Sequence, residues 1–196
     1  MKKMFLIAAL ATCGSLNALA QGSVVFSNAG GQPVVCADGF NTRIPVGSVY
    51  QAELMYAPDG TSAAEYDSLA IRIGGPANFG PTAGFFSGGG RTVDTLSPAG
   101  GFGLFQVRVW TSAYGNSYNA VLVSGDPRGG VGKSVIVRVD TGNPTIGEPA
   151  ASLVAAGLGQ IFVFGGPACV PEPSAAAFAI LAGATLLVAL RRKPIR

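Results

Sequence analysis

The feature that most constrains the fold is a two-residue alternation of apolar and polar side chains within short runs of the chain. In the longest run, Phe105, Val107 and Val109 are separated by single polar residues. Successive side chains of a strand point to opposite faces, so these three share one face while Gln106 and Arg108 share the other. This pattern is typical of a strand that packs one face on a hydrophobic core.

Similar runs, rich in Val, Ile and aromatic residues, are separated by Gly, Pro, Asn and Asp through the middle of the chain. Two of them repeat the alternation, with apolar positions Ala52, Leu54 and Tyr56 in one and Val135, Val137 and Val139 in the other. We predict strands at residues 23–27, 33–36, 49–56, 69–73, 91–96, 102–111, 120–124, 134–139 and 160–164, and a helical turn at residues 63–69. None of the predicted helical segments is long enough for a parallel crossover. The sequence therefore predicts an all-β fold: a single antiparallel β-sandwich or jelly-roll-like domain over residues 21–169.

The N-terminus has the parts of a secretory signal peptide. Two lysines precede a short apolar run, and Ala18-Leu19-Ala20 offers small residues where signal peptidase cleaves. We predict a signal peptide over residues 1–20, so that the mature chain begins at Gln21. A short buried helix is the alternative. A lipoprotein signal at Cys13 is a further alternative, but Thr12 stands where that signal requires Gly, Ala or Ser.

The C-terminus consists of three segments in a fixed order. The first, residues 170–174, contains Pro171-Glu172-Pro173 and Ser174, and its prolines hold the chain extended. The second, residues 175–190, is an uncharged apolar run of 16 residues. As a helix it would span roughly 24 Å of a hydrocarbon core near 30 Å, so we predict a short transmembrane helix. The third, residues 191–196, is basic and predicts a stop-transfer signal with a cytoplasmic end at Arg191, Arg192 and Lys193.

This order resembles the PEP-CTERM sorting signal of Gram-negative bacteria, over about the last 27 residues. With the signal peptide, the chain resembles the PEP-CTERM class of exported proteins. The resemblance implies recognition by a membrane protease-transpeptidase of the exosortase type, cleavage near Pro171 to Pro173, and transfer to the cell surface or the extracellular space. It also implies bacteria that often make exopolysaccharide. An ordinary membrane anchor that is never processed is the alternative.

Most of the basic character of the chain belongs to its ends. Residues 21–169 hold 7 of the 13 Lys and Arg residues and 9 of the 10 Asp and Glu residues, which gives 7 − 9 = −2. Without a basic patch, nucleic acid is not an expected partner.

The cysteines predict one disulfide. Cys13 is removed with the signal peptide, which leaves Cys36 and Cys169. An even pair in an exported protein predicts a bond between them, here from the start of the domain to its end. Two free thiols are the alternative.

The chemistry-bearing residues favour a protein without catalytic activity. The chain has no His, which excludes Ser-His-Asp and Cys-His catalytic units and His-bearing zinc sites. Gly132-Lys133-Ser134 copies the end of a phosphate-binding loop, but a strand pattern follows where such a loop opens a helix, so we interpret it as a hairpin turn. The acidic residues form no calcium-loop motif. We therefore expect no enzyme activity, cofactor or metal.

Three aromatic residues are candidates for sugar contact. Trp110, Tyr114 and Tyr118 lie at the end of the longest predicted strand and in the polar loop after it. Exposed together, their rings would stack on a polysaccharide; buried separately, they would pack the core and anchor the loop. Two functions follow: a surface or matrix protein without catalysis, or a module that binds carbohydrate such as exopolysaccharide.

Overall fold

The computed structural model describes residues 21–98 and 100–169, and of residues 94–98 only the backbone. This part of the chain is mostly β-strand. The strands are β1 (Gln21–Ser27), β2 (Val34–Cys36), β3 (Gly47–Pro58), β4 (Ile71–Arg72), β5 (Ala77–Phe79), β6 (Ser87–Pro98), β7 (Phe102–Thr111), β8 (Val131–Lys133), β9 (Val137–Asp140), β10 (Ala151–Ser152) and β11 (Ile161–Phe164). The α-helices are α1 (Ala63–Leu69) and α2 (Tyr118–Ser124), and 3-10 turns occur at Ser112–Tyr114, Pro144–Ile146 and Pro167–Cys169.

These strands form two sheets. The smaller has the order β10-β1-β6, and the larger has the order β2-β11-β8-β7-β3-β4, with β5 also paired to β3 and β9 to β7. The longest ladder of the larger sheet joins β3 to β7 in antiparallel register, from Tyr50 opposite Thr111 to Pro58 opposite Gly103. The all-β prediction is therefore confirmed at the level of two β-sheets.

Two pairings are parallel, whereas the sequence predicted an antiparallel domain. Strand β1 lies parallel to β10, with Val24 opposite Ala151, and β2 lies parallel to β11, with Val34 opposite Ile161. Each pair joins strands from opposite ends of the domain. The long intervening chain makes the crossover that a helix usually makes. The antiparallel prediction is correct for the remaining pairs and wrong for these two.

Side chains from both sheets share one hydrophobic cluster. Val24 and Phe26 of β1 and Val93 of β6 come from the smaller sheet. The larger sheet contributes the predicted inward positions of β3 and β7: Ala52, Leu54, Tyr56, Phe105, Val107 and Val109. In the third alternating run the prediction is correct for Val137 and Val139 only. Val135 is 60% exposed, because β9 begins two residues later.

One predicted strand is a helix. Residues 120–124 form most of α2, which begins after Ser117 and ends at Gly125. The Ser117 hydroxyl accepts a hydrogen bond from the N–H of Ala120 at 3.2 Å, and Gly125 takes the left-handed conformation that ends many helices. The other predicted helical segment, residues 63–69, is confirmed as α1.

Candidate functional site

The predicted aromatic platform is not exposed. Trp110 lies on β7 with none of its surface accessible, and its indole N–H donates to the carbonyl of Gly115 at 3.1 Å. Tyr118 is 9% exposed, and both rings pack with Val121 of α2. Because α2 covers the end of β7, the Trp110 ring has no free face for a sugar, which corrects its assignment as a sugar contact.

Tyr114 differs from the other two aromatics. It is partly buried against the same cluster, and the guanidinium of Arg128 lies 5.3 Å from its ring centroid. Arg128 in turn pairs with Asp126 at 2.8 Å. A single ring with a cation on one side does not make the flat platform that sugar stacking by three aromatics would require.

A charged network fills the outer face of the larger sheet, the face on which alternation places Gln106 and Arg108. Its buried members are Glu53 on β3 and Gln106 and Arg108 on β7, each less than 5% exposed. Its exposed members are Asp67 of α1, 60% exposed, and Lys133 of β8, 47% exposed. We call these five residues the outer polar layer.

Arg108 is the centre of the outer polar layer. Its Nε donates to Oε1 of Gln106 at 3.1 Å, and its Nη2 donates to Oδ1 of Asp67 at 2.7 Å. The guanidinium also lies 5.3 Å from the ring centroid of Tyr118, the first residue of α2. One side chain of β7 therefore holds both helices against the sheet.

The surroundings shift the pKa values of Glu53 and Asp67, the two carboxyl groups of the outer polar layer, in opposite directions. Burial raises the pKa of Glu53 above its ordinary value, and the opposing effects of Arg72, Arg108 and a hydrogen bond from the N–H of Tyr118 do not cancel it. A hydrogen bond from Lys133, at 3.1 Å, lowers the pKa of Asp67, and Arg108 lowers it further.

Sequence reasoning did not single out Glu53 or Asp67 as members of one site. The signal for Glu53 was its place opposite the apolar face of β3, but alternation does not show what covers a face. Glu53 interacts with two arginines, and its distance of 3.8 Å to Arg72 makes a loose ion pair. This arrangement attaches helices to a sheet, and we assign it a structural role.

The predicted disulfide is present. Cys36 of β2 and Cys169 of the last 3-10 turn are bonded, with their Cα atoms 5.1 Å apart, inside the usual range for disulfides. The neighbouring Tyr50 hydroxyl, whose pKa is raised by burial, accepts a hydrogen bond from the N–H of Ala168 at 3.3 Å. Both contacts secure the C-terminal end of the domain.

The other predictions concern the Gly132-Lys133 segment and the two ends of the chain. The segment of Gly132 and Lys133 is strand β8 and not a turn, and Lys133 pairs with Asp67. Four predictions concern residues outside the described part of the chain. They are the signal peptide, the sorting motif Pro171, Glu172, Pro173 and Ser174, the transmembrane helix at residues 175–190, and the stop-transfer residues Arg191, Arg192 and Lys193. Within residues 21–98 and 100–169, no helix is long and apolar enough to cross a membrane. The side chains described there include no group of three or more His, Cys, Asp or Glu residues that could hold a metal ion.

Comparisons with protein-family models, with curated proteins and with solved structures find no match to this chain.

Proposed function

We propose that this chain is an exported, non-catalytic surface or matrix protein that an exosortase-type transpeptidase sorts through a PEP-CTERM signal. The observation that carries the proposal is the order of the last 27 residues: Pro171-Glu172-Pro173, an uncharged apolar run and a basic end. Signal peptidase would act first, at Gln21. The chain would then cross the inner membrane, remain anchored by residues 175–190, and be released or attached at the cell surface after cleavage.

The disulfide supports the exported location. Structural disulfides persist in oxidising compartments and are rare in the cytosol. Cys169 is the last residue before the segment that we propose as the cleavage site, so the bond closes the domain just before the chain leaves it. Cleavage near Pro171 would then leave the bonded domain intact.

For the domain itself we propose a β-sandwich of jelly-roll type. The support is that the two sheets contribute side chains to one hydrophobic cluster. Such a domain, closed by a disulfide, suits a component of a surface layer or an extracellular matrix.

Mass spectrometry of the protein recovered from the cell surface tests the sorting proposal, in a bacterium that carries an exosortase. We expect the mature chain to begin at Gln21 and to lack Arg196. The Glu172→Ala variant should be exported and inserted normally, because the apolar run is unchanged, but should accumulate in the membrane at full length.

The matched control is Glu148→Ala, which removes an exposed acid of the domain and should leave processing unchanged. Surface protein that retains Arg196 would reject sorting and leave simple anchoring. Normal processing of Glu172→Ala would show that the Pro-Glu-Pro motif is not what the protease recognises.

A further inference from the structure

Among the side chains that the structure describes, two cations have no acidic partner. Of the 7 Lys and Arg residues in residues 21–169, Arg72, Arg108, Arg128, Lys133 and Arg138 form ion pairs with described carboxylates. The remaining two, Arg43 and Arg91, each lie over a phenylalanine ring, at 5.9 Å from Phe85 and 5.7 Å from Phe26. In a domain of net charge −2, a cation without a carboxylate partner in the described structure calls for an explanation.

Arg91 differs from Arg43 because it lines a cleft. The cleft has a volume of about 330 Å³ and opens between β4 and β6, the end strands of the two sheets. Ile71 and Ile73 line it from β4 and the residue after it, and Thr92 and Val93 line it from β6. This volume lies at the lower end of the roughly 300–1,000 Å³ range of small-molecule sites.

The Arg91 guanidinium has unused hydrogen-bonding capacity. Of its five N–H donors, one has an acceptor among the described residues: Nη2 donates to the carbonyl of Gly75 at 3.0 Å. Its Nε is shielded from water and has no hydrogen-bond partner in the described part of the chain. An oxyanion in the cleft would pair the charge of this side chain through its terminal N–H groups.

The remaining walls indicate the rest of the ligand. Ile71 is 49% exposed and provides the apolar surface of the cleft, whereas Ile73 and Val93, which also line it, are buried. Thr92 adds a hydroxyl group on the β6 side of the cleft. Strand β6 has a hydrogen-bonded neighbour only on its β1 side in the described sheet, so its free edge presents backbone N–H and C=O groups. The cleft thus suits a compact ligand that has one oxyanion, an apolar face and several hydroxyl groups.

We propose that this cleft binds a uronic acid unit of an acidic polysaccharide, with Arg91 pairing the sugar carboxylate. A carboxylate fits the fork of the guanidinium, the apolar face of the sugar ring fits Ile71, and the ring hydroxyls fit Thr92 and the edge of β6. The one arginine of this cleft without a described acidic partner does not suit the many phosphates of a nucleic acid. The choice of a polysaccharide rests on the proposed surface location. The site itself lies apart from Trp110, Tyr114 and Tyr118.

Isothermal titration of the full chain in neutral detergent with trigalacturonate tests this site. Arg91→Gln should weaken binding about tenfold or more, the usual range for losing a charge-assisted pair. Arg43→Gln is the matched control. It removes the other arginine that lies over a phenylalanine ring and has no ion pair, but it is not among the cleft residues, so binding should be unchanged.

A second pair of variants tests the site without changing Arg91. Ile71→Asp places a carboxylate in the cleft and should abolish binding, whereas the neutral Ile71→Asn of the same size loses only the apolar contact and should weaken binding less. Circular dichroism confirms the fold of each variant, and this pair gives the answer if Arg91→Gln does not fold.

Four outcomes would overturn the proposal: no binding by the unmodified protein, unchanged binding by Arg91→Gln, equal binding of the trigalacturonate methyl ester, or equal binding of inorganic phosphate or a glutamate peptide. The methyl ester removes the charge while keeping the sugar, and the last two probes offer the charge without the sugar. Because binding is measured on purified protein, a negative result would leave the sorting experiment unaffected.

Discussion

The two faces of β7 are equally buried but chemically opposite. Phe105, Val107 and Val109 belong to the hydrophobic cluster to which both sheets contribute, while Gln106 and Arg108 alternate with them on the outer face, and all five are at most 3% exposed. The inner face packs within that cluster, and the outer face is covered by two short helices. Burial of the inner face needs only apolar surface, whereas burial of the outer face needs a hydrogen bond or ion pair for each polar group.

The largest effect is expected from breaking the inner face. Phe105→Ala should lower the free energy of unfolding by about 3–5 kcal/mol, because the cavity adds to the lost apolar burial and the ring contact with Tyr56 at 5.4 Å is lost. Urea denaturation of the purified protein measures this. Phe164→Ala is the matched control: its ring is 65% exposed on β11, and its removal should cost less than about 0.5 kcal/mol. Equal losses would show that the cluster is not the core.

Breaking the outer face should cost somewhat less. Arg108→Ala removes one of the two arginines that interact with Glu53 and leaves Oε1 of Gln106 without its donor, and loss of one member of a buried pair costs about 3–5 kcal/mol. We expect about 2–3 kcal/mol, because its other partner, Asp67, is 60% exposed.

Arg128 provides the control for Arg108. It also pairs with an aspartate and lies over a tyrosine ring at the same 5.3 Å, but its side chain is 71% exposed. Arg128→Ala should therefore change the urea midpoint little. A similar midpoint shift in both variants would mean that burial of the network contributes nothing.

The inner face could be predicted from the sequence, and the outer face could not. Alternation showed which side chains of β3 and β7 share a face, and Cys36 and Cys169, the pair left after the predicted signal peptide, predicted the disulfide. Alternation carries no information about what covers the polar face, so it does not reveal that Glu53 and Arg108 are buried. The parallel pairing of β1 with β10 joins residues 127 positions apart, Val24 and Ala151, and no local pattern encodes such a contact.

The sequence contains a signal for helix α2, but the strand-like composition of residues 120–124 led to the prediction of a strand. Residues 120–124 are a short apolar run with two valines, and such a run is ambiguous between strand and helix. The sequence also contains Ser117 and Gly125 on either side of it, a helix-capping residue and a helix-ending residue at the right separation. Those two positions would have identified α2, and with it the burial of Trp110.

Helix α2, which covers Trp110, can be destabilised without a substitution in strand β7. Ser117→Ala removes the hydroxyl that caps α2 and should cost about 1 kcal/mol. Trp110 is the only tryptophan of the chain, so its fluorescence reports on this cover directly. We expect stronger acrylamide quenching and emission at longer wavelength in this variant. Ser62→Ala, at the same position of α1 but without a capping bond from its side chain, should leave the fluorescence unchanged. Ready quenching of Trp110 in the unmodified protein would contradict its burial.

The smallest effect separates the two carboxyl groups of the outer polar layer by the sign of their pH dependence. Burial raises the pKa of Glu53 above 4.5, so the folded protein binds a proton there more tightly than the unfolded chain. The stability that this provides is present at lower pH and is lost as the pH rises through the raised pKa. The pKa of Asp67 is lowered from 3.8, so its contribution is present at neutral pH and is lost as the pH falls.

In Glu53→Gln, which keeps an oxygen to accept the N–H of Tyr118, the fall in stability above pH 4.5 should be reduced. In Asp67→Asn, the loss of stability below pH 3.8 should be reduced instead. Urea midpoints measured from pH 3 to pH 8 distinguish the effects of the two substitutions. If the midpoints of Glu53→Gln followed those of the unmodified protein above pH 4.5, the Glu53 carboxyl would be solvated. The helices would then not seal the outer face of the sheet.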